Sequence, residues 1–344
     1  MPRRVLVALL AAAVLAACGG QPAAARTTVK TVATGLDVPW GVAFLPNGSA
    51  LVGERPGRIV RIPRGGGHAT TVMHVPGVVT ESSGEGGLLG LAVSPHYATD
   101  KLVYAYITTA GDNRIVRFRL GGSLHPILTG LQKASDHNGG RIAFGPDGML
   151  YAGVGDATNG ANAQDRSSRN GKILRIAPNG SIPRGNPFPG SPVWSLGHRN
   201  VEGLAWDSAG RLWASEFGEN TWDEVNLIRK GRNYGWPVVE GKGSTHGGRF
   251  TNPLVTWHTD QASPSGAAIL GGNLYVAALQ GQRLWKIPLH GASVGKPAAL
   301  LKGRYGRLRT VVAAPGGGLW VTTSNRDGRG SPHSGDDKVL LVKP

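Results

Sequence analysis

The chain has 344 residues, a formal net charge of +16 and a single cysteine. One cysteine excludes an intrachain disulfide, and 54 glycines with 23 prolines argue against long helices. No block of Lys and Arg interleaved with aromatic residues is present to indicate a nucleic acid partner. The charge favours acidic envelope polymers, anionic lipid head groups or an anionic cofactor, although much of it is equally consistent with a solvated surface.

Residues 1–17 are typical of a bacterial lipoprotein signal peptide. Two arginines precede an apolar run, Val5 to Ala17, which is too short to span a bilayer and ends in small residues before Cys18. We therefore predict cleavage before Cys18, a diacylglyceryl anchor to the membrane on that residue, and a flexible tether over residues 18–27. The alternative is an ordinary secreted protein with a stray thiol.

Six similar segments follow, each with a short apolar strand, a turn built on Pro, Gly, Asn or Asp, and further strands. The equivalent turn positions are Pro46, Pro95, Pro146, Ser208, Gly271 and Pro315. Successive turn positions are 44 to 63 residues apart. Such spacings, with several strands per unit and no helical pattern, are typical of β-propeller blades. We predict an all-β fold over residues 28–344, a six-bladed β-propeller with four-stranded antiparallel blades that cover each other's faces.

Closure of such a ring requires a strand from each end of the chain. Thr28–Val32 is expected to join the final blade, whose other strands include Val339–Val342. The two longest steps predict insertions at Asn159–Arg184 and Glu219–Phe250. In a propeller, insertions of this kind build the mouth of the central channel, and we expect the functional site there.

Polar residues are concentrated just ahead of the first strand of several blades. Because they occupy the same place in their repeats, a closed ring would bring them to one channel entrance. The stretch Ser191–Asn226 is the densest of these regions, and a charged surface loop is its alternative interpretation. The residues concerned are Glu85 in GEGGLLG, Asp136 and His137 in DHNGG, Arg199 and Asn200 in GHRN, and Arg307 and Arg309 in RLR.

These motifs resemble the soluble pyrroloquinoline quinone (PQQ) dependent sugar dehydrogenases, the glucose/sorbosone dehydrogenase family of six-bladed propellers. The segments GEGGLLGLAVSP, DHNGGRIAFGPDGMLY, GHRNVEGLAW, DEVNLI, NYGWP and RLR look like the motifs of that family in its order. The resemblance extends over nearly all of the chain after the signal peptide. It implies PQQ and calcium as cofactors, a small sugar as substrate and an external electron acceptor as partner.

The resemblance makes His137 the general base that removes a proton from the sugar hydroxyl, a task suited to an imidazole. Asp136 would orient that ring, although it would serve equally well as a cap of the Asn-Gly-Gly turn. A histidine bonded only to a loop carbonyl is the structural alternative for His137. Arg199 would face the quinone oxygen on which negative charge develops, and Asn200 would bind the cofactor beside it.

Arg307 and Arg309 are two residues apart, so both face the same side of an extended strand. They suit the carboxylates of PQQ, although an Arg-x-Arg pair alone is usually a solvated face. Calcium is implied at the main-chain carbonyls of Gly218 and Glu219, with the carboxylate of Asp223 close by.

Three further side chains have open roles at this point. Glu224 belongs either to the calcium site or, like Asp223, to the exposed surface. Trp257 and Tyr234 either form walls of the sugar pocket or pack inside the fold.

Two residues depart from the pattern of the family. Glu85 stands where the family carries a glutamine near sugar and quinone, and this change would affect substrate preference or proton handling. Gln280 stands where the family carries a cationic partner of PQQ, and the loss of that partner is expected to weaken cofactor binding by roughly 1 to 3 kcal/mol.

Two other functions remain open from the sequence. A calcium-dependent lactonase would need no quinone clamp and would tolerate charge reversal of Arg307 and Arg309. A non-catalytic binding propeller, which Gln280 favours, would be indifferent to His137→Ala. The string Gly291–Gly295 matches a nucleophile elbow, but no helix is predicted after it, and we reject a serine hydrolase.

Overall fold

Six antiparallel sheets follow one another along the chain and form the blades of the predicted β-propeller. The computed structural model describes residues 27–81 and 84–344. The first strands of neighbouring blades contact each other, and contacts between blade 6 and blade 1 close the ring. The predicted signal peptide, Cys18 and nearly all of the tether lie outside the described residues. Within the described ranges, no helix is both long and apolar enough to cross a membrane.

Each blade contributes four strands, and two short helices lie between strands. Blades 1 to 3 contain β2 (Pro39–Phe44), β3 (Ala50–Glu54), β4 (Arg58–Ile62), β5 (Thr70–His74), β6 (Leu88–Val93), β7 (Val103–Thr108), β8 (Asn113–Phe118), β9 (His125–Leu131), β10 (Ile142–Phe144), β11 (Leu150–Val154), β12 (Lys172–Ile176) and β13 (Val193–Leu196). Blades 4 to 6 contain β14 (Asn200–Trp206), β15 (Leu212–Phe217), β16 (Trp222–Ile228), β17 (Val255–His258), β18 (Pro264–Leu270), β19 (Asn273–Ala278), β20 (Arg283–His290), β21 (Ser293–Val294), β22 (Ala298–Leu300), β23 (Leu308–Ala313), β24 (Leu319–Thr323), β25 (Val339–Lys343) and β1 (Thr28–Ala33). The helices are α1 (Tyr97–Asp100) and α2 (Ala161–Gln164).

The second strand of a blade is the one most fully enclosed. Every residue of β3, β7 and β11 is buried, because the sheet lies between two neighbouring blades. The turn before such a strand needs glycine: Gly48 has φ +82° and Gly148 has φ +73°, a left-handed conformation that other residues adopt at a cost. The Pro-x-Gly pattern of the repeats is therefore a turn that starts a buried strand.

The ring is closed by the two ends of the chain, as predicted. Strand β1 pairs antiparallel with β25, from Thr28 opposite Lys343 to Ala33 opposite Val339. In blade 5, β22 is the fourth strand, and β21 forms a small hairpin with β20. That hairpin contains Ser293 of the rejected nucleophile elbow.

Both predicted insertions were drawn too widely, because each contains a regular strand. Strand β12 lies within 159–184, and β16 lies within 219–250. The true excursions are residues 155–171, 177–192 and 229–254. Two of them meet: the side-chain amide of Gln164 donates to the carbonyl oxygen of Trp236 at 2.6 Å.

The first two strands of a blade are antiparallel neighbours, and this arrangement positions the site. The residues before the first strand and those after the second strand therefore lie on the same face of the ring. Most of the predicted side chains precede a first strand, whereas Gly218, Glu219 and Gln280 follow a second one. The loops after β11, β15 and β24 prove to be equally important for the site.

Candidate functional site

A cavity of about 280 Å³ opens on this face of the ring. It brings together side chains and loops from blades 2, 3, 4 and 6. Eight residues predicted for the site line it: Glu85, Asp136, His137, Arg199, Asn200, Gly218, Glu219 and Asp223.

The imidazole of His137 is held by a buried carboxylate. His137 Nδ1 lies 2.8 Å from Oδ1 of Asp156, which is 1% exposed. The other carboxylate oxygen, Oδ2, accepts a hydrogen bond from Trp236 Nε1 at 2.8 Å. Sequence analysis assigned this orienting contact to Asp136, which was wrong, because the carboxylate of Asp136 pairs with Arg329 instead. With Nδ1 occupied, Nε2 is the nitrogen through which the ring can exchange a proton in the cavity.

Arg199 and Asn200 present donors that find no acceptor in the described parts of the chain. Arg199 Nε is buried without a hydrogen-bond partner, and its guanidinium makes no ion pair there. The guanidinium lies 5.5 Å from the ring of Trp236, which holds it by a cation–π contact. Asn200 Oδ1 accepts from the backbone N–H of Gly139 at 2.9 Å. A buried donor without an acceptor is costly, so Arg199 Nε points to a ligand with acceptor atoms.

A buried polar series fixes the backbone of Arg199. Glu216 Oε2 accepts from the Arg199 N–H at 3.0 Å, and Glu216 Oε1 lies 2.9 Å from His198 Nδ1. Ser195 Oγ lies 2.8 Å from His198 Nε2. This Ser–His–Glu order is that of a hydrolase, but all three side chains are buried and Tyr234 stacks on His198 at 4.8 Å. The series positions Arg199, and Tyr234 packs inside the fold rather than lining the cavity.

The loop at residues 218–222 is shaped by one carboxylate that sequence analysis did not identify. Glu240 Oε1 accepts backbone N–H groups at 2.8 to 3.2 Å from four consecutive residues: Glu219, Asn220, Thr221 and Trp222. Partial burial alone would raise the pKa of Glu240, but these four hydrogen bonds outweigh it and hold the pKa below its usual value. Glu240 thus takes up the N–H side of the loop, while the Asn220 carbonyl accepts from Thr259 Oγ1 at 3.3 Å.

The two predicted acidic ligands behave differently. Asp223 lines the cavity and accepts the N–H groups of Gly218 at 2.9 Å and Ser263 at 2.6 Å, and its burial raises its pKa to about 7. Glu224 does not line the cavity; it is bonded to Asn226 and Gly241, and burial followed by the charge of Glu216 raises its pKa to about 8. In the described parts of the chain, no three His, Cys, Asp or Glu side chains gather closely enough to hold a metal. A calcium ion here would therefore depend on main-chain carbonyls.

Arg307, directly before β23, and Arg309, in it, both reach the same carboxylate, so each already has a protein partner. Arg307 Nε lies 2.9 Å and Arg309 Nη2 lies 3.2 Å from Oδ2 of buried Asp327. Burial alone would raise the pKa of Asp327, and the charges of Arg309 and Arg307 outweigh it and lower the pKa. Neither arginine lines the cavity of His137.

Two predicted residues lie away from the site. Trp257 is 5% exposed and stacks on Trp285 at 5.1 Å in the core between blades 4 and 5. It therefore has a structural role and does not line the sugar pocket. Gln280 is exposed after β19 and lies outside the cavity.

Lys172 carries a fully buried ammonium that holds the loop around α2. Its Nζ donates to three main-chain carbonyl oxygens, those of Asn162, Asn170 and Ala163, at 2.5, 2.8 and 3.2 Å. Burial lowers the pKa of Lys172 to about 8. This loop also contains Asp156, so the ammonium stabilises the loop whose carboxylate binds His137.

Lys172→Met is expected to lower the free energy of unfolding by about 1 to 3 kcal/mol, because three buried carbonyls lose their donor. Urea unfolding followed by tryptophan fluorescence measures this loss. Lys30→Met, at an exposed position of β1, is the matched control and should change little. Equal stability of the two variants would contradict the assigned role of Lys172.

Two of the three unpredicted residues of the site share a position in their repeats. Asp156 follows β11 and Arg329 follows β24, so each comes after a second strand, whereas Glu240 lies in the excursion 229–254. A polar residue directly after a fully apolar strand was the available signal for Asp156. Nothing local marks Glu240 or Arg329, because their partners are distant in the sequence.

Comparisons with known proteins agree with this fold. A family model described as Glucose / Sorbosone dehydrogenase matches residues 36–340. The structure of a PQQ-bound Aldose Sugar Dehydrogenase from Streptomyces coelicolor superposes with a TM-score of 0.88 and 53% identity, covering 93% of this chain and 99% of that chain. An aldose sugar dehydrogenase of Escherichia coli K12 is 29% identical over 89% of this chain and 92% of its own length. Quinoprotein glucose dehydrogenase B of Acinetobacter calcoaceticus is 32% identical over 65% of this chain and 55% of its own length.

Proposed function

Because the chain belongs to the glucose/sorbosone dehydrogenase family, with the family model matching residues 36–340, we propose that it is a PQQ-dependent dehydrogenase. The substrate is an aldose sugar, and the reaction removes a proton from the C1 hydroxyl and a hydride from C1 to give the lactone. The observation that carries this proposal is the buried, unsatisfied Nε of Arg199, beside a histidine whose Nδ1 is held by Asp156.

The donors in the cavity fit an anionic quinone with carbonyl oxygens. Arg199 offers a guanidinium with a buried Nε and no protein acceptor in the described residues, and Asn200 has only its Oδ1 engaged. Arg307 and Arg309 belong to blade 6, are paired with Asp327 and do not line this cavity. Arg199 and Asn200 would hold carbonyl and carboxylate oxygens of PQQ in the cavity. Gln280 is exposed, lies outside the cavity and carries no charge that could stand in for a cation.

The 218–222 loop fits calcium. Its N–H groups are engaged by Glu240, Asp223 contributes a carboxylate at the cavity wall, and hard oxygen ligands are those that calcium prefers. Gly218 and Glu219 would supply main-chain carbonyls. Glu224 has no part in this set, because it lies behind the loop.

His137 acts as the general base in this proposal. When bound, PQQ supplies the two-electron acceptor for the hydride that leaves C1. His137 Nε2 takes the proton of the C1 hydroxyl, while Asp156 holds Nδ1 and stabilises the imidazolium that forms. The positive charge of Arg199 faces the position where negative charge develops.

Reconstitution tests the function directly. The purified protein, freed of metal by chelation, is expected to reduce a redox dye with glucose only after PQQ and calcium are both added. Dye reduction without PQQ, or no reduction with both, would overturn the proposal. Lactone hydrolysis that needs calcium alone would support the lactonase, and sugar binding without turnover would support the binding propeller.

Glu240→Ala is expected to weaken calcium binding about 10- to 100-fold, because four loop N–H groups lose the acceptor that orients the loop. Titration calorimetry with calcium chloride on the metal-free protein measures this change. Asp260→Ala, at an exposed position outside the loop, is the control for lost charge and should bind calcium as the parent does. Unchanged affinity in Glu240→Ala would show that the loop needs no such support.

The N-terminal sequence completes the proposal. We infer an extracytoplasmic protein attached to the membrane through a lipid on Cys18, with an external electron acceptor that regenerates the cofactor. Metabolic labelling with a radioactive fatty acid tests the anchor, and Cys18→Ala should abolish the label.

A further inference from the structure

Arg329 reaches across the ring to two carboxylates at the site. It lies in the loop between β24 and β25 of blade 6, whereas its partners precede the first strands of blades 2 and 3. Arg329 Nη1 lies 2.7 Å from Glu85 Oε1, and Arg329 Nη2 lies 2.5 Å from Asp136 Oδ1. One guanidinium thus joins three blades at the mouth of the cavity, 244 and 193 residues from its partners.

The second oxygen of Glu85 extends this contact to the catalytic base. Glu85 Oε2 accepts the backbone N–H of His137 at 2.9 Å. The backbone of His137 has φ +57°, a left-handed conformation that costs roughly 1 kcal/mol for a residue with a side chain. A hydrogen bond to that N–H is one of the contacts that maintain this conformation, and the conformation sets where the imidazole points.

We propose that Arg329 is a positioning residue for the dehydrogenase reaction: by bridging Glu85 and Asp136, it holds Glu85 against the backbone of His137 and so fixes the imidazole on Asp156. This inference rests on the proposed function, in which His137 is the base. It also gives Glu85 a role, since its carboxylate binds a guanidinium and a backbone N–H instead of acting as a free acid beside the sugar.

Charge supports the bridge. In the described residues, Arg329 is the only cation paired with Glu85 or with Asp136. Without Arg329, the carboxylates of Glu85 and Asp136 would lie close together at the mouth of the cavity and repel each other. Burial alone would lower the pKa of Arg329, but the hydrogen bonds and charges of Glu85 and Asp136 outweigh it and raise the pKa.

The backbone of Arg329 is itself held in place by a hydrogen bond. Its backbone N–H donates to Asp327 Oδ1 at 3.0 Å, and Oδ2 of Asp327 accepts from both Arg307 and Arg309. The side chain is half-exposed, so its contribution to global stability is small. Its effect should therefore appear in the geometry of His137 and not in the stability of the fold.

The experiment combines kinetics with a measurement on the cofactor-free protein. Arg329→Gln, Glu85→Gln and the double variant are loaded with PQQ and calcium, and kcat and KM for glucose are measured. In parallel, ring resonances of His137 are recorded by NMR on the cofactor-free proteins and assigned by their loss in His137→Asn. Arg304→Gln, an exposed arginine of the same face, is the control and should match the parent.

Arg329→Gln is expected to lower kcat about 10- to 100-fold with KM changed less than about 3-fold, because the base is misplaced while the pocket remains. The His137 resonances should shift. In the Glu85→Gln background the same substitution should cost markedly less, since the two residues act as one unit. Arg329→Lys should give an intermediate kcat, because one ammonium cannot bridge both carboxylates in the planar geometry of a guanidinium.

Unchanged His137 resonances in a folded Arg329→Gln protein, or fully additive losses in the double variant, would overturn the inference. A parent protein that shows no PQQ-dependent activity, but whose His137 resonances still move in Arg329→Gln, would refute the proposed function while leaving the positioning contact in place.

Discussion

His137→Asn is expected to lower kcat with PQQ, calcium and glucose by about 10²- to 10⁴-fold, the range for loss of a general base. Asparagine is the appropriate replacement because it tolerates the left-handed backbone of this residue, whose φ is +57°. It removes the ring nitrogen that accepts the proton while leaving the N–H that donates to Glu85. Steady-state dye reduction at saturating PQQ measures the loss.

The variant must still be folded and loaded for this result to count. Binding of PQQ, followed by its absorbance, should be nearly unchanged, since the unsatisfied buried donor belongs to Arg199. His68→Asn, at an exposed position of blade 1, is the matched control and should retain full activity. Activity within about 3-fold of the parent in His137→Asn would remove His137 from the chemistry and favour a different base.

The fold could be predicted because each blade carries its own local signals. A turn with glycine at a left-handed position, as at Gly48 and Gly148, begins a buried strand in one blade after another. Repetition then fixes the architecture, because isolated sheets with two apolar faces must cover each other. The strand β1 could be assigned to the last blade for the same reason, since an open ring would leave an edge exposed.

The side chains of the site were only partly predictable. His137, Arg199 and Glu85 share a position in their repeats, and the ring brings them to one cavity. The residues that hold these side chains and the neighbouring loop in place could not be predicted from their position in the repeat. Asp156, Glu240 and Arg329 contact residues distant in the sequence, and no local pattern encodes these contacts. Asp136 illustrates the difficulty: adjacency to His137 suggested an orienting contact, but successive side chains point in different directions.

Aromatic residues were misplaced for a related reason. The ring of Trp257 is large and lies on a strand near the site in sequence, and both features fit a sugar platform. In the structure it faces Trp285, because β17 is the outer strand of blade 4 and its inward side packs against blade 5. Distance from the channel axis, which depends on strand order in the sheet, decided its role.

Arg199→Met is expected to lower kcat about 10²- to 10³-fold and to weaken PQQ binding about 10- to 100-fold. The guanidinium has no ion-pair partner and its buried Nε has no acceptor in the described residues, so both are available to the ligand. Arg199→Lys should recover part of the activity, because it keeps the charge but loses the fork of donors that includes Nε. Fluorescence titration with PQQ and steady-state kinetics measure the two effects separately.

In the cofactor-free protein, Arg199→Met should leave the thermal stability unchanged or raise it. A buried donor without an acceptor destabilises the fold, so the melting temperature of Arg199→Met without PQQ should equal or exceed that of the parent. Addition of PQQ should then stabilise the parent more than the variant, because only a bound ligand satisfies the donor. Arg61→Met, at an exposed position of β4, is the control in which neither activity nor stability changes appreciably. A large fall in the stability of cofactor-free Arg199→Met would mean that the arginine supports the fold, and the donors in the cavity would no longer indicate a ligand.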